Sequence, residues 1–245
     1  MIWALHGAVG SASDWRDFAQ KMDTSLGEQS GVQAGVRRLD LWRFLDCCPM
    51  PLEKFGDTLA EEIVRVDPEP VLLGYSMGGR LALHALLARP ELWKAAIIVS
   101  AHTGLKDEDE RAARREKDAE WSALALKAEW ADFLAQWNTQ GVLEGGDMPD
   151  RMSLKDRRAS IARSFIDWSL GEQEDLASRV GEVSCPVLWV TGERDEKFTA
   201  IARSVVPQLP QAEHCVVADC GHRVPWEKPE EFAGLCSGFI HRARA

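Results

Sequence analysis

Basic residues are the minority charge. With 29 Lys and Arg against 39 Asp and Glu, the 245-residue chain carries a formal charge of −10, and its isoelectric point is near 5.2. Sequence-independent nucleic-acid binding needs a basic face to neutralise phosphate, so no nucleic-acid partner is expected. Long apolar runs are missing too. The chain opens Met1-Ile2-Trp3-Ala4-Leu5-His6, with no basic region ahead of an apolar stretch. Nothing there marks export or membrane insertion, and a cytoplasmic setting without a membrane partner is the expectation. The six cysteines, Cys47, Cys48, Cys185, Cys215, Cys220 and Cys236, form neither C-x-x-C pairs nor a dense framework, which excludes a disulfide scaffold. Cys220 stands two residues before His222 and either borders a site or packs as a buried thiol, the commoner fate. There is no H-E-x-x-H, no clustered Cys/His spacing and no phosphate-binding glycine loop. Neither a metal nor a cofactor is expected. No internal repeat or low-complexity tract appears.

Hydrophobic residues make up 45% and charged residues 28%, values of a globular protein that buries a substantial core. A chain of this length fits one α/β domain spanning residues 1–245. Short apolar, β-branched runs recur at Ile2–Leu5, Val36–Leu41, Pro70–Leu73, Ala95–Val99, Pro186–Val190 and His214–Val217, and read as buried parallel strands. Helical patterns lie between them, at Asp14–Met22, Leu52–Val66, Gly78–Ala88, Ile201–Leu209 and Pro229–His241. This alternation predicts a mostly parallel, doubly wound sheet flanked by helices. The alternation breaks over about residues 105–170, a charged, helical stretch with Trp121, Trp130, Trp137 and Trp168 and no strand pattern. It reads as an inserted helical cap, divided at Gly145-Gly146-Asp147-Met148-Pro149. The mixed-sign run from Lys106 to Asp118 reads as a solvated helix face.

Between the strand ending at Leu73 and the helix starting at Gly78 stands Gly74-Tyr75-Ser76-Met77-Gly78, followed by Gly79. A sharp strand-to-helix turn needs small neighbours so that a serine can point out at the top of the sheet. The helix N-terminus after Ser76 also favours a developing negative charge. A serine hydroxyl is a poor nucleophile or base at neutral pH. It needs an imidazole, whose tautomer a carboxylate must fix. Both are found downstream at strand ends, in the order Ser, acid, His. Asp195 follows the strand ending at Val190, with Glu193 and Glu196 as neighbours that serve solubility. His222 follows the strand ending at Val217. His84, His214 and His241 fall in ordinary helix or strand positions. His6 ends the first strand, where the backbone N–H groups of Ala8 and Met77 would make an oxyanion hole, and His6 itself would brace that loop. His102 lies just past the strand ending at Val99 and either meets substrate or is structural.

The elbow Gly74-Tyr-Ser-Met-Gly-Gly-Arg80, the cap stretch Gly104-Leu-Lys106 with Glu110-Arg111-Ala-Ala-Arg114, the run Phe133-Leu-Ala-Gln-Trp137 and the loop Gly192-Glu-Arg-Asp195-Glu-Lys197-Phe198 together resemble a family of the α/β-hydrolase fold. This is MenH, the SHCHC synthases (2-succinyl-6-hydroxy-2,4-cyclohexadiene-1-carboxylate synthases) of menaquinone biosynthesis, and the resemblance spans nearly the whole chain. It implies a lyase on a hydrolase scaffold. Ser76 would remove a proton from a succinyl-bearing cyclohexene carboxylate, and the enolpyruvyl group would leave as pyruvate. A small anionic, polycarboxylate substrate requires local positive charge, which arginine's planar fork suits. By position Arg80 matches the family's elbow arginine, Arg114 its first cap arginine, and Tyr75 and Trp137 its pocket aromatics; Arg158 is reached as a further cap arginine by counting on from Trp137. Arg111 and Arg115 read rather as i,i+4 surface partners. The chain departs from the family's Asp-Leu-Pro-Gly-His-Gly after the second strand, reading Asp40-Leu-Trp-Arg-Phe-Leu-Asp-Cys-Cys-Pro49 instead.

Two other readings stand beside the lyase. One is a serine hydrolase for a small ester, thioester or carbon–carbon bond, which the triad supports equally. The other is a non-catalytic binding protein on the same fold, which a complete triad disfavours. Monomer or homo-oligomer is left open.

Overall fold

The structure, a computed structural model, describes residues 1–30, 35–143 and 149–244. Six parallel strands, β1 (Ile2–Leu5), β2 (Val36–Arg38), β3 (Val71–Tyr75), β4 (Ala95–Val99), β5 (Val187–Gly192) and β6 (Ala212–Val217), form one sheet. The spatial order is β2-β1-β3-β4-β5-β6, so the direction of winding reverses beside β1 and β3. In open parallel sheets a ligand crevice forms at that reversal, outside the carboxyl ends of the strands.

The helices follow in chain order: α1 (Arg16–Ser30), α2 (Leu41–Cys47), α3 (Leu52–Val64), α4 (Met77–Ala88), α5 (Glu108–Lys127), α6 (Trp130–Asn138), α7 (Arg158–Asp167), α8 (Glu196–Val205), α9 (Val224–Glu227) and α10 (Pro229–Arg244). Alternate residues of each central strand enter opposite cores, as period-two side chains must. Ile2, Ala4, Val71, Leu73, Ile97 and Val99 pack with Phe18 of α1 and Phe232 of α10. Trp3, Leu5, Leu72, Ala96, Ile98 and Trp189 pack with Leu59 of α3 and Leu81 of α4 on the other face. With both faces covered, β1, β3, β4 and β5 are buried throughout.

Strands and helices alternate as expected, and the segment after β2 differs most. β2 ends at Arg38, and Asp40 then caps α2 by accepting the Trp42 N–H at 3.2 Å. Leu41, Trp42 and Leu45 turn inward from that helix, a spacing too short to stand out from the strand before it. Helices α5, α6 and α7 lie between β4 and β5. The break expected within them at 145–149 falls outside the described residues except for Pro149. Among the described residues no helix is long and apolar enough to cross a membrane.

Candidate active site

Gly74 and Gly78 give the elbow its shape. A Cβ on Gly74 would lie 2.4 Å from the Gly78 carbonyl, and one on Gly78 would lie 2.4 Å from the Leu5 carbonyl. Only glycine permits β3 to turn this sharply and α4 to begin against the end of β1. Ser76, between them, takes φ 53° and ψ −112°, a conformation that costs a non-glycine residue strain and recurs where function requires it. It is also the one residue from Val71 to Arg80 that is half-buried rather than buried.

The Ser76 Oγ lies 3.1 Å from His222 Nε2, and His222 Nδ1 lies 2.7 Å from Asp195 Oδ2. The carboxylate fixes the proton on Nδ1, which leaves Nε2 to accept the serine proton. Asp195 and His222 stand on adjacent loops that are stitched together. Glu193 N–H donates to the Val217 carbonyl and Arg194 N–H to the Cys220 carbonyl, both at 2.9 Å. A Cβ on Gly192 would sit 2.1 Å from the Gly221 carbonyl, so these loops need glycine there to approach.

Two acidic side chains complete the stitching. Glu193, read from the sequence as a solubilising neighbour, accepts the Asp219 N–H at 3.0 Å. Asp219 has a φ of 46°. Glu227, from α9, accepts the N–H groups of Gly221 at 2.8 Å and Arg223 at 3.1 Å, bracketing His222. No motif marks Glu227; its position five residues after His222 acquires meaning only once α9 folds back. Cys220 is buried among Val190, Val217 and Phe232, and burial pushes its thiol up to about 12. It packs.

The expected oxyanion donors are both unspent: among the described residues neither Ala8 N–H nor Met77 N–H has a hydrogen-bond acceptor. His6 braces the loop that carries Ala8. Its Nε2 accepts the Leu41 N–H at 3.3 Å, and its Nδ1 then donates to the Gly7 carbonyl at 2.9 Å. Burial lowers its pKa to about 4, so the ring stays neutral. Trp42, whose ring centroid is 4.9 Å from that of His6, donates Nε1–H to the Gly10 carbonyl at 2.7 Å. The segment that departs from Asp-Leu-Pro-Gly-His-Gly thus buttresses the loop after β1.

Arg80 lies one turn beyond Ser76 on α4 and is buried. Its Nη1 donates to Gln173 Oε1 at 2.9 Å and its Nη2 to the Trp168 carbonyl at 2.6 Å. No carboxylate among the described residues comes within 4 Å of it. Burial, with the field of Arg114, lowers its pKa to about 9. Gln173 Nε2 in turn donates to the His102 carbonyl at 3.3 Å. Gln173 is wholly buried yet lies in an irregular segment, where a lone glutamine carries no sequence signal. His102 Nδ1 accepts the Gly104 N–H at 3.0 Å. Its ring meets Phe198 at 6.3 Å, and Phe198 meets His222 at 4.4 Å. Burial, then Lys197, Arg80 and Arg114, lower the His102 pKa to about 4.

Arg114 pairs with Asp118, its Nε 2.9 Å from both carboxylate oxygens, and Ser169 holds the same carboxylate. The Lys197 ammonium lies 5.9 Å over the Phe198 ring. Desolvation and Arg114 hold it below its ordinary value. Lys197 therefore joins Arg80 and Arg114 in one positive group beside the neutral ring of His102, although only its place in the Gly192–Phe198 motif had marked it.

Tyr75 lies flat against the first loop: a Cβ on Gly7 would meet its Cε1 at 2.7 Å. Its ring is 5.5 Å from His222 and 4.7 Å from Trp226. Trp137 packs on Trp121 at 5.1 Å and Phe165 at 5.3 Å, at the end of α6. Arg158 lies against the end of α5. Its Nε and Nη2 donate to the Ala125 and Ala128 carbonyls at 2.8 and 2.6 Å. The last carbonyls of α5 lack intrahelical donors, and Arg158 is spent in supplying them. Arg111 and Arg115 both donate to the Gly171 carbonyl at 3.0 Å and face Glu108, tying α5 to the turn after α7.

A parallel sheet with an elbow serine, a hydrogen-bonded histidine and an acid at successive strand ends defines a class. The chain belongs to the alpha/beta hydrolase family, whose profile matches residues 4–235. Within that class it is similar to a putative 2-succinyl-6-hydroxy-2,4-cyclohexadiene-1-carboxylate synthase of Bacillus subtilis (strain 168). The two are 34% identical over 98% of this chain and 89% of the relative. The enzyme of that name from Enterobacter sp. (strain 638) is 27% identical over 98% of this chain and 91% of its own length. Among solved structures, MenH from S. aureus superposes with a TM-score of 0.83 at 20% identity, covering 100% of this chain and 94% of that one. A thermophilic esterase from Thermogutta terrifontis gives 0.69 at 21% identity, covering 100% and 90%. The resemblance to the SHCHC synthases read from the sequence is borne out by these relatives.

Proposed function

We propose that this protein is a 2-succinyl-6-hydroxy-2,4-cyclohexadiene-1-carboxylate synthase working in the cytoplasm. It releases pyruvate from 2-succinyl-5-enolpyruvyl-6-hydroxy-3-cyclohexene-1-carboxylate. The observation that carries this reading is Arg80, a buried guanidinium with no carboxylate partner among the described residues, one helical turn from Ser76. A hydrolase acting on a neutral ester has no use for such a charge. A polycarboxylate substrate supplies its counter-ion.

His222, oriented by Asp195, draws the proton from Ser76 Oγ, and the serine oxygen abstracts the acidic proton beside the succinyl carbonyl. Charge develops on that carbonyl oxygen, where the Ala8 and Met77 N–H groups stand without other acceptors among the described residues. The electron pair returns into the ring, the carbon–oxygen bond to the enolpyruvyl group breaks, and enolpyruvate takes up a proton to become pyruvate. No acyl-enzyme forms. Helices α5 to α7 serve as a cap that brings Arg114 and Trp137 over the substrate. Lys197 adds to the positive wall, His102 meets the substrate as a neutral ring, and Tyr75 supports the loop that carries Ala8.

Purified protein given the authentic substrate should release pyruvate, read by a coupled lactate dehydrogenase assay, and Ser76→Ala should abolish it. Absence of pyruvate would leave the serine-hydrolase reading, which the 3.1 Å Ser76–His222 contact serves equally well; an ester panel with an acyl-enzyme burst would then separate the two.

A further inference from the structure

Three arginines are more than nine-tenths buried: Arg80 at 7% exposure, Arg151 at 8% and Arg223 at 4%. Arg151 has Asp14 at 3.0 Å. The guanidinium groups of Arg80 and Arg223 have no carboxylate within 4 Å among the described residues. Arg80 has its place in the reading above. Arg223 matches no residue carried over from the relatives, yet it directly follows His222.

Its surroundings are polar and incomplete. The guanidinium Nη2 lies 3.4 Å from Asn138 Oδ1, a long contact to an exposed residue one position after Trp137. Its ionisable neighbours are Tyr75, whose hydroxyl is within hydrogen-bonding reach, Arg151 and Glu227, and Glu227 is engaged with the backbone of the His222 loop. Tyr75 lies on Gly7, and Arg151 binds the Val9 carbonyl. Arg223 therefore stands on the side of the loop bearing Ala8. The group around Arg80 is a different one, made of Arg114 and Asp118. Arg80 and Arg114 thus share Asp118, while Arg223 and Arg151 share Asp14 and Glu227, both of them already engaged. A guanidinium taken out of water without a counter-charge is costly, and an arriving carboxylate removes the cost with two parallel hydrogen bonds.

We propose that Arg223 is a second carboxylate-binding residue, holding the substrate carboxylate that Arg80 does not and so making the site selective for a dicarboxylate or larger polyanion. This rests on the reading of the substrate as a succinyl-bearing polycarboxylate.

The test titrates the full chain with 2-succinylbenzoate, a stable succinyl-bearing dicarboxylate, and with its two monoamides, following tryptophan fluorescence. Arg223→Gln should weaken the dicarboxylate by at least about tenfold, the loss expected when one charge-assisted hydrogen-bonding partner is removed. Arg223→Lys should be intermediate. One monoamide, lacking the carboxylate that Arg223 holds, should bind both variants and the wild type alike, while the other keeps the difference. Equal loss for all three ligands would assign Arg223 to docking α6 and overturn the proposal, as would unchanged affinity in Arg223→Gln. Thermal unfolding checks both variants, and if the glutamine variant does not fold, the lysine variant carries the comparison. Pyruvate release by the wild type is measured in parallel. Release together with unchanged dicarboxylate affinity in Arg223→Gln overturns Arg223 alone. Arg223-dependent binding without release overturns the lyase reading alone. A wild type that neither releases pyruvate nor binds the dicarboxylate overturns both.

Discussion

Arg151, from the segment between β4 and β5, closes a buried ion pair on Asp14 at 3.0 Å and also donates to the Val9 carbonyl. Asp14 accepts the Ser11 N–H at 3.1 Å, and Val9 has a φ of 52°. The loop that carries Ala8 is therefore held by a residue far along the chain. Removing one partner strands the other charge, so Arg151→Met should cost about 3–5 kcal/mol in urea unfolding. Arg151→Met with Asp14→Asn should recover part of it, because the amide keeps an acceptor for Ser11 and carries no charge. If the double variant is as unstable as the single, the stranded charge is not the cause. Pyruvate release by the single variant should also fall, by up to about 10²-fold, as Ala8 loses its fixed place.

Ser76 is held at a backbone conformation that glycine adopts freely, and such strain is worth about 1–3 kcal/mol. Glycine gives back part of that through the greater freedom of its unfolded chain. Ser76→Gly should therefore be inactive yet more stable by about 1 kcal/mol, while Ser76→Ala should be inactive with no such gain. Calorimetric melting of the three proteins decides the matter; a glycine variant no more stable than the alanine one would remove strain from the account.

Asp195 touches His222 and not Ser76. In Asp195→Asn the amide leaves the imidazole free to take the wrong tautomer, so turnover should fall by about 10⁴-fold with little change in KM. A rise in KM at unchanged turnover would make Asp195 a binding residue instead.

Strands, elbow and triad were legible because each rests on local pattern: a β-branched run, glycines flanking a serine, and an acid or histidine just past a strand. What escaped depends on distant chain segments meeting. Gln173 and Glu227 act on Arg80 and the His222 loop through contacts that no spacing announces. Arg158 came from counting rather than from local pattern. Counting on from Trp137 assumes an ungapped cap, whereas the folded chain turns that arginine onto the carbonyls ending α5. Helix α2 was hidden by its length, since seven residues show barely two turns of period.

His84 carries the prediction for pH. It is buried in α4, its Nε2 has no partner among the described residues, and burial, then Arg80 and Arg179, lower its pKa to about 4. An unfolded histidine titrates near 6.5, so between pH 6.5 and 4 the unfolded chain binds the proton that the folded chain refuses. Stability then falls as pH falls through that window. His6 and His102 act in the same direction. In His84→Leu, of similar volume, the orphaned nitrogen is gone, which should stabilise by about 1 kcal/mol at pH 7.5. The advantage should grow on acidification toward at most about 3 kcal/mol more by pH 4, because each tenfold difference in proton affinity between the unfolded and folded chain is worth about 1.4 kcal/mol. Urea unfolding at pH 7.5, 6.5, 5.5 and 4.5 gives both slopes. Parallel curves for variant and wild type would mean that His84 takes up its proton in the folded state as readily as in the unfolded one.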